Sequence, residues 1–140
     1  MIAIREAGAA DCEAVVALWN ACELTRPWND PQVDFMRALA FTGSTILVAE
    51  HEGLVLGTTM TGFDGHRGWI YYLAVHPDWR RRGFARQLLD AGCEWLSARD
   101  CPKVELMVRD GNPDAKVYEQ LDWVAQPVQV YARWIVEPTP

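Results

Sequence analysis

Four arginines, Arg80, Arg81, Arg82 and Arg86, crowd around Gly83 and Ala85 in the stretch HPDWRRRGFARQLL, residues 76–89. Ahead of them runs an unbroken aromatic and aliphatic segment, WIYYLAVHP, stopped at Pro77; behind them an apolar pattern of helical period opens at Phe84. A strand, a turn and a helix start in that order make an anion site. The first amides of a helix have no intrahelical acceptor, and the positive end of its dipole lies there. Gly83 and Ala85 let a ligand approach the backbone closely, and flanking guanidiniums add charge-assisted hydrogen bonds. The chain as a whole carries a formal charge of -6, so the arginines are a local concentration and not part of a basic surface. Two familiar phosphate loops are excluded: there is no GxxxxGK[ST], and no GxGxxG followed by a strand-end acid.

Stepping outward, the elements that must hold this turn are legible from periodicity. Ile2 to Arg5 alternate as a short strand. Cys12, Val15, Val16, Trp19 and Cys22 form one stripe of a helix from Asp11. TRPWNDP interrupts with two prolines, and Asp30-Pro31 is an N-cap and first turn for a second helix reaching about Ala40. Thr45–Glu50 and Leu54–Thr61 flank a Glu-Gly turn as a hairpin. FDGHRG is a further turn, and WIYYLAVHP reads as a central strand buried on both faces. After the helix from Gly83, Val104–Val108 is a strand. Asn112 and Pro113 cap and open a short helix to Leu121, and VQVYARWIV, residues 128–136, alternates as a closing strand. The order describes one α/β (α+β) domain over residues 1–140, a mixed sheet covered by helices, with no repeat and no linker.

Composition agrees. Half of the 140 residues are hydrophobic and seven are Trp, ample for a core. The acidic balance argues against a nucleic-acid binder, which shows a basic face. No segment approaches the ~18 apolar residues of a membrane span, and the polar start MIAIREAGAADCEA is no signal peptide. Cys12, Cys22, Cys93 and Cys101 have no CxxC spacing, so reduced thiols in a cytoplasmic protein are expected, not zinc ligands or disulfides.

LAVHPDWRRRGFARQLL resembles motif A of the GNAT N-acetyltransferases, whose signature [QR]-x-x-G-x-[GA] stands here as Arg80-Arg81-Arg82-Gly83-Phe84-Ala85. The order of elements is similar along essentially the whole chain, and RPWNDP, GFDGHRG and YYLAVHP resemble a small bacterial YpeA-like branch. The resemblance implies a single mixed, mostly antiparallel sheet, splayed between central strands and flanked by about four helices. It implies acetyl-CoA as co-substrate, without a metal, in the V-shaped gap. Backbone groups of Leu73, Ala74 and Val75 then pair with the acetyl and pantetheine amides. The amides of Arg81, Arg82, Gly83, Phe84 and Ala85 cradle the pyrophosphate, and Arg80 or Arg86 reaches the phosphates.

Within NPDAKVYEQLDW, Tyr118 matches the family's tyrosine that faces the CoA sulfur and protonates the departing thiolate; amphipathic packing under the last strands is the other reading of that residue. Asn112 stands six residues before Tyr118 where the family has seven, and Asp122 replaces a glycine before Trp123, so a cofactor contact by Asn112 competes with its capping role. The family's usual strand carboxylate is replaced by Tyr71 and Tyr72, leaving Asp64 and His66 of GFDGHRG as candidate general bases or as turn residues. Trp28, Asn29, Tyr71 and Tyr72 are candidates for the acceptor pocket. The activity implied is transfer of an acetyl group to a primary amine of a small molecule or protein by direct attack in a ternary complex. The alternative is a non-catalytic acyl-CoA-binding or regulatory module of the same fold. The last strand allows a homodimer.

Overall fold

The hairpin pattern and the two-proline break organise the sheet and its covering helices much as the periodicities require. The computed structural model describes residues 2–138. Five strands, β1 (Ala3–Glu6), β2 (Ser44–His51), β3 (Leu54–Phe63), β4 (Gly68–Val75) and β5 (Val104–Leu106), lie side by side in sequence order. The first four pair antiparallel, and β5 runs parallel to β4. The helices are α1 (Cys12–Ala21), α2 (Pro31–Ala40), α3 (Phe84–Ser97) and α4 (Ala115–Gln120).

Side-chain alternation along β2 divides the core between two faces. Ile46 and Val48 join Val15, Val16, Leu18 and Trp19 of α1 and Phe35 and Ala38 of α2 in one buried cluster. On the other face lies α3, with Leu88, Leu89 and Leu96 buried. It can lie close because Gly92 has no side chain: a Cβ there would stand 3.0 Å from both Ile70 Cδ1 and Thr61 Oγ1. Asp30 caps α2 as its spacing predicts, its Oδ1 accepting from the amides of Gln32 at 3.0 Å and Val33 at 3.2 Å.

Three expectations are corrected. VQVYARWIV forms no strand: residues 128–136 have no ladder partner, and Val128, Tyr131 and Ile135 are 71, 89 and 97% exposed. Alternation specifies a strand only where a sheet edge and a covered face await it, and β5 presents an edge of three residues. The last helix starts at Ala115, because Asn112 Oδ1 accepts from the Asp114 amide at 2.8 Å in a local turn and Asp114 takes the N-cap. β4 is covered unevenly, with Ile70 and Ala74 buried but Tyr71 43% exposed. All four cysteines are free thiols.

Candidate functional site

The central opening arises where β4 outruns β5. Their ladder joins only Gly68–Ile70 to Val104–Leu106, while β4 continues five residues further to Val75. From Tyr71 onward that edge of β4 has no strand partner among the described residues, so the two strands splay. On its other edge β4 carries a bulge: Met60 opposes Tyr71 and Thr58 opposes Ala74, leaving Thr59 against both Tyr72 and Leu73. A bulge turns the strand and re-aims its backbone groups. Here Tyr72 adopts φ +49°, a left-handed conformation that a bulky residue keeps only when its surroundings enforce it.

Beyond the bulge the backbone alternates regularly. The His76 amide donates to the Leu56 carbonyl at 2.7 Å, so Ala74 likewise turns its polar groups toward β3, and Leu73 and Val75 turn theirs toward the gap. Of the three strand residues expected to offer backbone groups, Ala74 is therefore not one. The Val75 carbonyl is occupied, accepting from Arg80 Nε at 3.2 Å and Cys22 Sγ at 3.3 Å. What remains toward the gap is the Val75 amide together with the amide and carbonyl of Leu73.

At the end of β4 the chain passes through a 3₁₀ turn, Pro77–Trp79, into the glycine turn. Arg81 has φ +63° and Gly83, the N-cap of α3, φ +80°. Left-handed residues interleaved in this way make successive amides converge into a concave nest for an anion. The bond from the Gln87 amide to the Gly83 carbonyl, 3.2 Å, lies ahead of the first turn's donors, so Phe84, Ala85 and Arg86 keep amides without intrahelical acceptors. A Cβ on Gly83 would meet nothing within 4 Å, so the turn faces open space. The arginines divide their work. Arg80 ties the turn to Val75, Arg82 lies 4.6 Å over the Trp79 ring, and Arg81 and Arg86 are exposed. Phe84 stacks on Trp79 with centroids 6.3 Å apart.

The remaining candidates are spread unequally. Tyr118 is half-buried on α4, and its phenol pKa is raised, first by burial and then by the charge of Asp114. That shift keeps the phenol protonated. Asn112 spends its side-chain oxygen on the local turn. Trp28 is 42% exposed in the loop between α1 and α2, and Arg109, beyond β5, sits 5.8 Å over its ring. Asn29 is exposed beside it. Tyr71 stacks beside Trp69, centroids 6.4 Å apart.

Asp64 and His66 stand in the β3–β4 turn, at the end of β4 where β5 is still paired. Leu73 lies five strand residues past Gly68, roughly 16 Å along the strand, so neither residue stands at the Leu73–Val75 end of the gap. Burial, and then the charge of Asp64, raises the phenol pKa of Tyr71 at the mouth of the gap. Asp64 is also a turn organiser. It accepts from the amides of His66 and Arg67, each at 2.8 Å, and from Trp69 Nε1 at 3.3 Å. The Arg67 and His66 amides hold its carboxyl below the usual range, which weakens it as a base.

Sequence reasoning missed Asp34. It sits in the first turn of α2 and reads there as a helix-dipole residue, yet its Oδ2 accepts from the Tyr72 hydroxyl at 2.7 Å, across 38 positions. No local pattern carries such a contact. Arg109 was missed for the same reason. Two concavities lie away from the glycine turn: one of about 180 Å³ between Cys93 and Val104, and an open groove of about 630 Å³ between β1 and α3, lined by Glu6, Asp90, Glu94 and Trp95 among others. Neither is lined by a residue of the β4 gap. An open V between strands is a cleft, not an enclosed cavity.

A splayed β4 that ends in an Arg-x-x-Gly-x-Ala helix turn defines the acetyltransferase (GNAT) architecture, and the family's sequence profile matches residues 12–123. The chain belongs to that family. It is 49% identical over 125 residues to an acetyltransferase of Yersinia enterocolitica, covering 88% of both chains. It is 50% identical over 115 residues to an acetyltransferase of Pectobacterium atrosepticum, covering 81% of both. Among solved structures, the aminoglycoside enzyme AAC(6')-Iy with a CoA bisubstrate analogue superposes with a TM-score of 0.83 over 96% of this chain and 98% of that one, at 18% identity. An acetyltransferase from Clostridium acetobutylicum with acetyl-CoA gives 0.79 over 95% and 96%, also at 18% identity. Both share the fold.

Proposed function

We propose that the protein transfers the acetyl group of acetyl-CoA to a primary amine of a small molecule or protein, by direct attack in a ternary complex. The observation that carries this reading is the continuity of the gap with the nest: gap-facing groups of Leu73 and Val75 lead into the converging amides of Arg81 to Arg86. The two fit an extended amide-bearing arm that ends in a pyrophosphate, and the open space over Gly83 admits it. Bound there, acetyl-CoA supplies the activated acyl carbon. Leu73 and Val75 orient the arm, and the amides from Arg81 to Ala85 with the Arg81 and Arg86 side chains hold the phosphates. As the N–C bond forms and the C–S bond breaks, Tyr118 gives its proton to the departing sulfur and the attacking nitrogen loses its own to water. Trp28, Asn29 and Tyr71 border the acceptor's approach, with Arg109 on the Trp28 ring.

The engagement of Asp64 in organising the hairpin turn favours a second reading, a non-catalytic acyl-CoA-binding module, because its carboxyl is spent on the amides of His66 and Arg67. Thiol release from acetyl-CoA over a broad amine panel decides between them. Amine-dependent release with a matching acetylated product supports the enzyme. CoA binding without release for any amine supports the module.

The setting proposed is cytoplasmic; no helix among the described residues is long and apolar enough to cross a membrane. The exposed Val128, Val130, Tyr131 and Ile135 support a homodimer in which this segment covers a second copy. Sedimentation as a dimer that Tyr131→Asp dissociates is the expected result.

A further inference from the structure

The left-handed residue of the β4 bulge is held by three contacts, at its ring, its carbonyl and its hydroxyl. The Tyr72 ring stacks on Trp19 of α1, centroids 3.8 Å apart and 13° from parallel. Its carbonyl accepts from Thr58 Oγ1 at 2.9 Å, and that same oxygen accepts from Trp19 Nε1 at 2.9 Å. Trp19 and Thr58 are fully buried, so the tie is shielded from water. Finally the Tyr72 hydroxyl donates to Asp34 of α2 at 2.7 Å. Burial and then the bond to Asp34 push the phenol far above the ordinary tyrosine pKa, so it remains a donor at all working pH values.

Both helices that flank the Trp28 loop thus close on one residue of the bulge. That residue immediately precedes Leu73, the first gap-facing residue. A small rotation of Tyr72 swings the backbone groups of Leu73 and Val75. Reaction rates are sensitive to such displacements: an error of 1 Å in placement costs up to about 100-fold.

We propose that Asp34 and Tyr72 are a positioning pair for acetyl transfer, their hydrogen bond fixing the bulge so that Leu73 and Val75 hold the acetyl arm at the angle that attack requires. Neither residue touches the reacting atoms. The role rests on the acetyl-transfer reading above, but it needs the hydrogen bond and not the charge of Asp34. Asparagine keeps an acceptor oxygen at that position and alanine removes it.

The test compares Asp34→Ala, Asp34→Asn, Tyr72→Phe and the double variant Asp34→Ala/Tyr72→Phe with the intact chain. Thiol release is measured at saturating acetyl-CoA with the best amine of the panel, and CoA affinity by calorimetry. Asp34→Ala and Tyr72→Phe should each lose about tenfold or more in kcat, with the KM for acetyl-CoA and the Kd for CoA within about twofold. Asp34→Asn should recover to within about threefold of the intact chain, and the double variant should be no slower than either single one. Four results overturn the proposal: Asp34→Asn as slow as Asp34→Ala, wild-type rates throughout, losses that add in the double variant, or a uniform fall in melting temperature and CoA affinity across all three single variants. If the intact chain acetylates no amine, the proposed function has failed, and amide exchange of residues 72–75 in the CoA complex still reads the pair. Exchange should quicken in Asp34→Ala and return to normal in Asp34→Asn; unchanged exchange in Asp34→Ala overturns it.

Discussion

The Trp19 indole lies flat on the Tyr72 ring, centroids 3.8 Å apart, while its Nε1 donates to Thr58 at 2.9 Å. One buried side chain therefore holds the strained bulge by two different forces. Trp19→Phe keeps the stacking and removes the donor, at a cost of about 1–2 kcal/mol in urea unfolding. Trp19→Ala removes both and leaves a cavity, costing about 3–5 kcal/mol. Equal losses for the two variants would show that packing and hydrogen bond are not separable there.

In the proposed function the backbone at Gly83 is the main instrument of anion binding, with the arginine side chains as support. Gly83→Glu places a Cβ at φ +80°, costing about 1–2 kcal/mol, and sets a carboxylate over the nest. CoA affinity should fall about tenfold or more, against about threefold or less for Arg81→Ala, which keeps its own left-handed backbone. Equal affinities reject the backbone cradle.

Tyr118→Phe should lower thiol release at saturating acetyl-CoA by about 100-fold and leave the Kd for CoA within about twofold. Because burial and Asp114 raise its pKa, the intact chain should hold its rate until the pH exceeds the ordinary phenol value of about 10. A decline near neutral pH that Tyr118→Phe abolishes contradicts the proton-donor role.

Arg5 forks between Asp11 at 2.9 Å and Glu50 at 2.8 Å, tying the start of α1 to the edge of the sheet. The Arg5 bond, and then the Gly8 amide, lower the Asp11 carboxyl to about 2. A depressed folded-state value stabilises above the unfolded pKa, and the benefit disappears as pH falls through about 2. With Arg5 partly solvated, the contribution is about 1 kcal/mol. Asp11→Asn should therefore melt a few degrees lower at pH 7, and the gap should close toward pH 2; a gap that persists in strong acid contradicts the linkage.

What could be read in advance follows the range of the forces involved. The Asp30 cap, the hairpin and the glycine turn are local, and residues 76–89 carry their own spacing rules, so they stand where their sequence puts them. The Asp34–Tyr72 bond joins residues 38 positions apart, and no periodicity announces it. Asp64 and His66 were legible as turn residues or as bases, since both roles use the same chemistry, and the Asp64 bonds to the His66 and Arg67 amides show the turn role. Residues 128–136 alternate as a strand should, yet pairing is a property of two segments, and β5 offers too short an edge.

The central claim, that the β4 gap and the Gly83 nest hold the acyl carrier, is tested most directly by following backbone amide resonances during titration with CoA. The amides of Leu73, Val75 and Arg81 to Arg86 should shift together and saturably, with the groove around Trp95 undisturbed. Shifts confined to that groove, or none at the glycine turn, would contradict the account.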